Sequence, residues 1–580
     1  MMNSNIPRPE YPRPQLVRDR WINLNGPWEF EADKSKSGRA RRLFEKTKLD
    51  EEILVPFCPE SKLSGLEYKD FLNAVWYRKE FELPADWSGN LVYLHLGAVD
   101  YDTEVWINSM PAGKHRGGYS SFSFDITKLV KPGVNTLTLC AEDDVRSGLQ
   151  PAGKQSPKYD SFACSYTRTT GIWQTVWLES IPETHLSSFR IVPDPDNACI
   201  HISSILNGIK GTCRLTATAR FDGKAAGTST IAVNSHHVTQ TLHLTDVHLW
   251  EPGKPDLYDL EFSLEKDNTC VDSVSSYFGL RKVTWDNNVM LLNGKPLFQR
   301  LVLDQGFYPD GIYTAPSDDA LRNDIEISMG LGFNGARMHE KIFEPRYIYW
   351  ADKLGYLVWG EHANWCLDIT TPTGLERFLP EWLEALERDF NHPSVIGWCP
   401  FNETWDSNGT PQDNAVLSIV YQATKSIDPT RPVIDTSGNY HVITDIFDIH
   451  DYEQDVKLFE AKFESMKTGG EAYNTYPGRQ KYEGQPYFVS EYGGIWWDPN
   501  ASRENGWGYG NRPESEEAFI ERYKGLTGAL LDNPHICAFC YTQLYDVEQE
   551  VNGLYTYDRK PKFDPEIIRK INIRKAAIEE

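Results

Sequence analysis

No stretch of this chain reaches the ~20 consecutive apolar residues that a bilayer-crossing helix needs, so a helical membrane span is excluded. Positive charge is scarce. Fifty-nine Lys and Arg face 83 Asp and Glu, a formal net charge of −24. A surface of that sign repels phosphate backbones and anionic headgroups, which excludes nucleic acid and membranes as partners. The one basic cluster, Arg39-Ala-Arg-Arg42, reads as a solvated loop. The N-terminal Met-Met-Asn-Ser-Asn-Ile-Pro-Arg-Pro lacks a basic segment followed by an apolar one, so no secretory leader and a cytoplasmic location are expected. The ten cysteines form no paired framework. Cys140, Cys399, Cys537 and Cys540 lie inside apolar strand-like runs, as buried free thiols do in a reducing compartment. Cys537-Ala-Phe-Cys540 has no second pair and no histidine spacing beside it, so no metal and no cofactor is expected there. His339-Glu340 does not extend to His-Glu-x-x-His, which removes a zinc-peptidase reading.

What is present is an ordinary globular composition, 40% hydrophobic and 24% charged, over 580 residues. That length predicts roughly three or four domains. Residues 1–185 alternate apolar and polar positions in short runs: Val75–Leu83, Leu91–Leu96, Thr103–Asn108. Gly, Asn and Pro turns separate them, the pattern of a β jelly-roll sandwich. Residues 186–284 continue in shorter strands (Cys213–Ala219, Tyr258–Leu264), predicting an immunoglobulin-like β-sandwich. From 285 to 580 the texture changes. Strand-like runs at 297–304, 333–338, 356–361, 395–400, 432–436, 445–450, 487–491 and 536–543 alternate with helical ones at Asp318–Leu331, Phe378–Phe390 and Gln412–Ile427. That rhythm predicts a (β/α)8 TIM barrel, whose chemistry sits at the C-terminal ends of its strands.

Two of those ends carry a glutamate. Val395–Cys399 runs into Asn402-Glu403, and Pro486-Tyr-Phe-Val-Ser runs into Glu491. A glutamate after a strand is most often a solvated loop residue. Two of them, flanked by Phe401, Trp405, Tyr492, Trp496 and Trp497, form a different pattern. Paired carboxyls supply the proton and the charge stabilisation that acetal cleavage needs, and aromatic rings suit the apolar faces of sugars.

These segments resemble glycoside hydrolase family 2, the β-galactosidase, β-glucuronidase and β-mannosidase group. Leu24-Asn-Gly-Pro-Trp28, Trp76-Tyr-Arg-Lys-Glu-Phe81 and Thr170-Gly-Ile-Trp-Gln-Thr-Val-Trp177 are similar to the family's sugar-binding jelly roll. Gly332-Phe-Asn-Gly-Ala-Arg-Met-His339, Asn391-His-Pro-Ser, Asn402-Glu403 and Val489-Ser-Glu491 match its barrel signatures. The resemblance implies a retaining double displacement, with Glu403 as acid and base and Glu491 as nucleophile. Asn402 would hold the sugar 2-OH, Tyr452 would touch the nucleophile, and His339 would line the glycone pocket. Glu361 and His362, which close the third strand, are further pocket candidates, as is Trp497.

Four departures bear on the sugar. Leu303-Asp304-Gln305 stands where many members carry Arg-His-Glu, so Asp304 is expected to accept hydrogen bonds from glycone hydroxyls. Gln549-Glu550-Val551-Asn552 replaces the Asn-x-Lys of glucuronidases, and Glu550 should repel a uronate. Trp365 and Leu367 replace a Glu and a His of metal-using galactosidases, so no catalytic magnesium is expected. Tyr541-Thr-Gln543 replaces a tryptophan-bearing strand, placing Tyr541 at the pocket. The expectation is a retaining exo-glycosidase on a small oligosaccharide or glycoside with a neutral glycone, β-galactosidase-like first. Arabinosides, galactofuranosides and β-mannosides follow, and β-glucuronides come last. A non-catalytic carbohydrate-binding protein is the reading outside enzymes, and retention of both glutamates argues against it. The two β domains leave a homo-oligomer open.

Overall fold

The computed structural model describes residues 6–286, 288–407, 409–499 and 506–580; residues 1–5, part of the segment read above for a leader, lie outside them. The first domain pairs a six-stranded antiparallel sheet with a four-stranded one. Its expected strands appear as Ala74–Glu82, Leu91–Leu96 and Asp102–Ile107. Trp28, Phe30, Tyr77, Leu94, Val105, Leu139 and Leu178 fill the space between the sheets, because alternate residues of each strand point inward. The second domain stacks a four-stranded sheet on a three-stranded one around Leu215, Ala217, Leu260, Phe262 and Ile202. All ten cysteines are free, and Cys140, Cys399, Cys537 and Cys540 are buried. Among the described residues no helix is long and apolar enough to cross a membrane.

The third domain is the barrel. Its strands are β1 (Gln299–Asp304), β2 (Gly335–Met338), β3 (Leu357–Glu361), β4 (Val395–Cys399), β5 (Thr436–Ser437), β6 (Phe447–Asp451), β7 (Tyr487–Gly493) and β8 (Ile536–Thr542). Seven of them form one parallel sheet in the order β4-β3-β2-β1-β8-β7-β6. β5 fills the gap. Pro400 has no N–H to give and interrupts β4, which resumes at Phe401–Asn402 and pairs in parallel with β5. Upstream, Trp398 N donates to Pro432 O (3.0 Å) and Ile434 N to Trp398 O (2.9 Å). The strand expected at 432–436 is therefore present but broken.

Helices follow every strand except β5: α1 (Asp318–Gly330), α2 (Pro345–Leu354), α3 (Pro372–Asp389), α4 (Asn414–Ile427), α5 (Val456–Lys467), α6 (Glu516–Leu531) and α7 (Pro565–Asn572). The Ser317 hydroxyl caps α1 at Ala320 N, as its position predicts. α3 begins six residues before the expected Phe378, at Pro372. Thr371 caps it, and Pro372 sits in the first turn, where the missing N–H has no partner to lose. Strand residues divide by parity. Leu301, Leu303, Leu357, Trp359, Phe488 and Cys540 share the barrel interior. Val302, Ala336, Val358, Ile449, Val489 and Phe539 pack toward the helices. This alternation decides which strand-end residues reach the site.

Candidate active site

Glu403 and Glu491 meet across the C-terminal mouth of the barrel. A carboxylate oxygen of each and a ring nitrogen of His450 all lie within 4.8 Å of one another. Glu403 sits one residue past the β4 extension with φ 44°. A non-glycine residue there is strained, and such strain concentrates at sites the surroundings over-determine. Its N–H is held by Ser437 O at 2.9 Å. Glu491 is aimed by a register shift between Val489 and Tyr492 in β7, which turns both Ser490 and Glu491 inward. Glu491 Oε1 accepts from Arg337 Nη1 at 3.1 Å, and Oε2 accepts from the Tyr452 hydroxyl. Tyr452 is braced by Tyr509, whose ring stacks 3.5 Å away.

Arg337, on the inward face of β2, ties the floor together. It donates to Glu361 Oε1 (2.6 Å), Ser490 O (2.8 Å) and Asn402 Oδ1 (3.2 Å) besides Glu491. A buried guanidinium among buried carboxylates satisfies charges that would each be costly alone. Glu361 uses its second oxygen on Glu340 N (3.2 Å) and faces His339 Nδ1 (3.3 Å). It therefore supports the pocket rather than lining it. Burial, with Lys154 and Arg337 nearby, holds His339 well below the ordinary histidine range, so the ring is neutral. Asn402 has its backbone fixed by Asn364 and Trp365, while among the described residues its buried Nδ2 finds no acceptor. That leaves one directed donor beside Glu403.

His450 stands between the two carboxylates. Nδ1 is 2.7 Å from Glu403 Oε1 and 3.4 Å from Glu491 Oε2, and Nε2 is 3.0 Å from Ser437 Oγ. Burial opposes its charge, but the field of Glu491 and the hydrogen bond to Glu403 win and raise its pKa. Burial likewise favours protonated Glu403, yet the His450 contact, with Lys154 and Arg337, brings its pKa below the usual range. The proton of this coupled pair thus rests mainly on the imidazole. Behind it, Asp435 and Asp448 overcome burial and lift His441 to about 10, locking β5 to β6.

The first domain closes one wall. Ala152 N and Gly153 N both donate to Trp365 O, and Lys154 extends into the mouth with its ammonium 3.7 Å from the Trp365 ring centre. Glu550 is buried there. Tyr166 donates to one of its oxygens and Asn552 Nδ2 to the other (2.9 Å). Burial raises the Glu550 pKa, with Lys154 and Tyr166 only partly offsetting it. Trp405, two residues past Glu403, is 47% exposed and makes an edge contact with Tyr440.

Four expected pocket residues lie elsewhere. Asp304 shares the outward face of β1 with Val302; its carboxylate accepts from Tyr347, Tyr545 and Gly306 N and is fully buried. His362 follows inward Glu361 and so points out, packing on Phe378, Trp382 and Tyr119. Tyr541 is outward by the same rule and meets Tyr523 of α6. Trp497 packs on Phe519 and Phe563 in the helix layer. Glu403, Glu491, Asn402, His339 and Tyr452 come together as expected, with Glu550 at the rim. Arg337, His450 and Lys154 were not singled out from the sequence. The first two were discoverable, since each sits two residues before a residue that was named.

Among the described residues two groups could hold a metal: Glu403, His450 and Glu491, and, in the second domain, Asp194, Cys199 and His201. In the first group Arg337 already supplies the positive charge. A cleft of about 580 Å³ opens beside the site along His450, Tyr452, Tyr473 and Asn511. A larger one, about 700 Å³, lies between the domains along His95, Trp177, Ser203 and Glu387, and touches neither glutamate.

The sequence matches three family descriptions in order. "Glycosyl hydrolases family 2, sugar binding domain" covers residues 62–179, "Glycosyl hydrolases family 2" covers 184–281, and "Glycosyl hydrolases family 2, TIM barrel domain" covers 283–574. A putative β-glucuronidase of Formosa agariphila is 26% identical over 72% of this chain and 50% of its own length. A β-galactosidase of Thermoanaerobacter pseudethanolicus is 25% identical over 66% of this chain and 51% of its own. The chain thus spans about half the length of these two relatives. A β-glucuronidase of Paenibacillus borealis is 23% identical, with 96% of this chain and 98% of that one aligned. Among solved structures, Ruminococcus gnavus β-glucuronidase superposes with a TM-score of 0.81 at 18% identity, over 98% of this chain and 99% of that one, a likeness of fold. On the match of all three domains, the chain belongs to glycosyl hydrolases family 2.

Proposed function

We propose that the protein is a retaining exo-glycosidase. The observation that carries this reading is that one carboxylate oxygen of Glu403 and one of Glu491 lie within 4.8 Å of each other. Retaining enzymes keep their two carboxyl groups about 5–5.5 Å apart, whereas inverting ones need roughly 6.5–9.5 Å to seat a water. Glu491, held by Arg337 and Tyr452, attacks the anomeric carbon; Glu403 protonates the leaving oxygen and then deprotonates the water. The Asn402 Nδ2 donor waits for the sugar 2-OH. NMR of the first-formed sugar tests the stereochemistry. The anomer of the substrate is expected first, and the opposite anomer would overturn the double displacement.

The glycone reading is a neutral sugar, with a β-galactoside the first to try. Gln549-Glu550-Val551-Asn552 stands where glucuronidases carry the Asn-x-Lys element, and the missing lysine disfavours a uronate. The second reading is a β-glucuronide, favoured by the names of the relatives and by the ammonium of Lys154. Aryl β-galactoside, β-glucuronide, β-mannoside, β-galactofuranoside and both arabinosides, assayed side by side, separate the two.

His450 gives a pH prediction. Glycosylation requires an ionised Glu491 and a proton on the Glu403–His450 pair. In the wild type that proton leaves with the raised pKa of His450, so the basic limb of kcat/KM lies above the ordinary histidine range. His450→Asn removes the imidazolium that holds Glu403 down, and the limb then reports a lone carboxyl. It is expected to move to lower pH. A basic limb unchanged in the variant would show that His450 takes no part in the proton's storage.

A further inference from the structure

We infer that Lys154, delivered by the first domain, is a substrate-binding residue whose ammonium takes an oxygen acceptor of the glycone, a hydroxyl or a carboxylate. The inference rests on the glycosidase reading and gives it a specificity determinant in another domain. The Lys154 residue is only 6% exposed, and among the described residues its Nζ makes neither a hydrogen bond nor an ion pair. Its ammonium lies over the face of Trp365, at 3.7 Å, a contact that satisfies charge but none of its three N–H donors. The electrostatic influence of Lys154 falls on Glu403, Glu550 and His339, so it faces the reacting centre and not the domain junction behind it. Burial works against its charge, but Cys164, Glu550, Glu403 and Glu340 outweigh it, and the group stays protonated.

The placement is built, not incidental. Gly153 has φ +59°, and a Cβ there would lie 2.5 Å from Glu340 O, so only glycine lets the loop approach this closely. Lys154 O accepts from Tyr166 N (2.7 Å), and Gln155 Nε2 binds Asp100 (2.8 Å). Asp368 N donates to Gly148 O (3.1 Å), clamping the loop's other end to the barrel. Tyr166 at the far side of the loop bonds Glu550, so one loop presents a donor and orients an acceptor at the same rim. A glycone group reaching this rim would meet both.

The test uses full-length Lys154→Met, which keeps the length of the side chain and removes its charge, and Lys154→Arg. Hydrolysis is read on the best aryl glycoside, on its single-deoxy analogues and, for a uronide, on the matching neutral hexoside. Lys154→Met is expected to lose about 10- to 100-fold in kcat/KM, chiefly through KM, on the complete sugar. On the analogue lacking the contacted oxygen the loss should fall below threefold, with Lys154→Arg intermediate. A hydroxyl and a carboxylate are told apart by which analogue abolishes the difference. Equal losses on every analogue, or no loss on any, would overturn the assignment. If the wild type hydrolyses no glycoside, the glycosidase reading fails by itself. Calorimetric titration of the same free sugars into wild type and Lys154→Met then decides the binding role: weaker binding in the variant supports it, and equal or absent binding refutes it.

Discussion

Glu491→Ala is expected to lower kcat on any hydrolysed aryl glycoside by about 10⁴-fold or more, on the order of 5 kcal/mol of barrier. The adjacent carboxylates Glu361 and Glu403 cannot take its place. Glu361 is pinned by Arg337 and Glu340 N, and Glu403 stands on the far side of His450. The fold should survive, since Arg337 keeps its contacts to Glu361, Ser490 O and Asn402. Glu491→Gln, which preserves the volume, should be as inactive, and agreement between the two variants separates lost chemistry from lost packing. Azide supplied to Glu491→Ala should enter the vacated space and yield a glycosyl azide of inverted anomeric configuration. Activity within tenfold of the wild type in either variant would remove Glu491 from the mechanism.

Where the sequence could be read and where it could not follow from one geometric rule. The barrel was legible because buried parallel strands appear as apolar runs and their helices show a 3.6-residue period. Glu403 and Glu491 were legible because a carboxylate past such a run is anomalous. The errors at Asp304, His362 and Tyr541 share a cause: each sits at a strand end, but the strand's period of two turns it away from the mouth. Leu303, Glu361 and Cys540 mark the inward parity and could have excluded all three. Glu491 breaks that parity only because β7 carries a bulge, which leaves no mark in composition. Arg337 lies inside a motif that was noted and His450 ends an expected strand, and the inward parity of His339 and Asp448 points to them. Lys154 had no such signal. It belongs to a different domain, and only the docking of that domain on Trp365 brings it to the barrel mouth. Glu550 was found by position, but its partners were not. Its burial and the hydroxyl of Tyr166, nearly four hundred residues upstream in the chain, are properties of the assembled wall.

Glu403→Ala should behave differently from Glu491→Ala, and the difference identifies the acid. A leaving group that departs readily needs little protonation, so kcat/KM on an activated aryl glycoside is expected to stay within about tenfold of the wild type. A poorly activated glycoside needs the full proton transfer and should lose about 10²- to 10⁴-fold. Turnover on the activated substrate then stalls at the glycosyl-enzyme, because the water has lost its base. KM should fall, and a burst of product equal to the enzyme concentration should precede a slow steady state. Azide needs no base, and it should restore turnover and give a glycosyl azide that keeps the anomeric configuration of the substrate. His450 sharpens the test. In wild type it lies 2.7 Å from Glu403 Oε1 and carries most of the pair's proton, so Glu403→Ala leaves an imidazolium facing Glu491 alone. If that imidazolium could protonate the leaving group directly, the two substrates would suffer equal and modest losses. Unequal losses, with azide rescue and retention, require the proton to pass through Glu403.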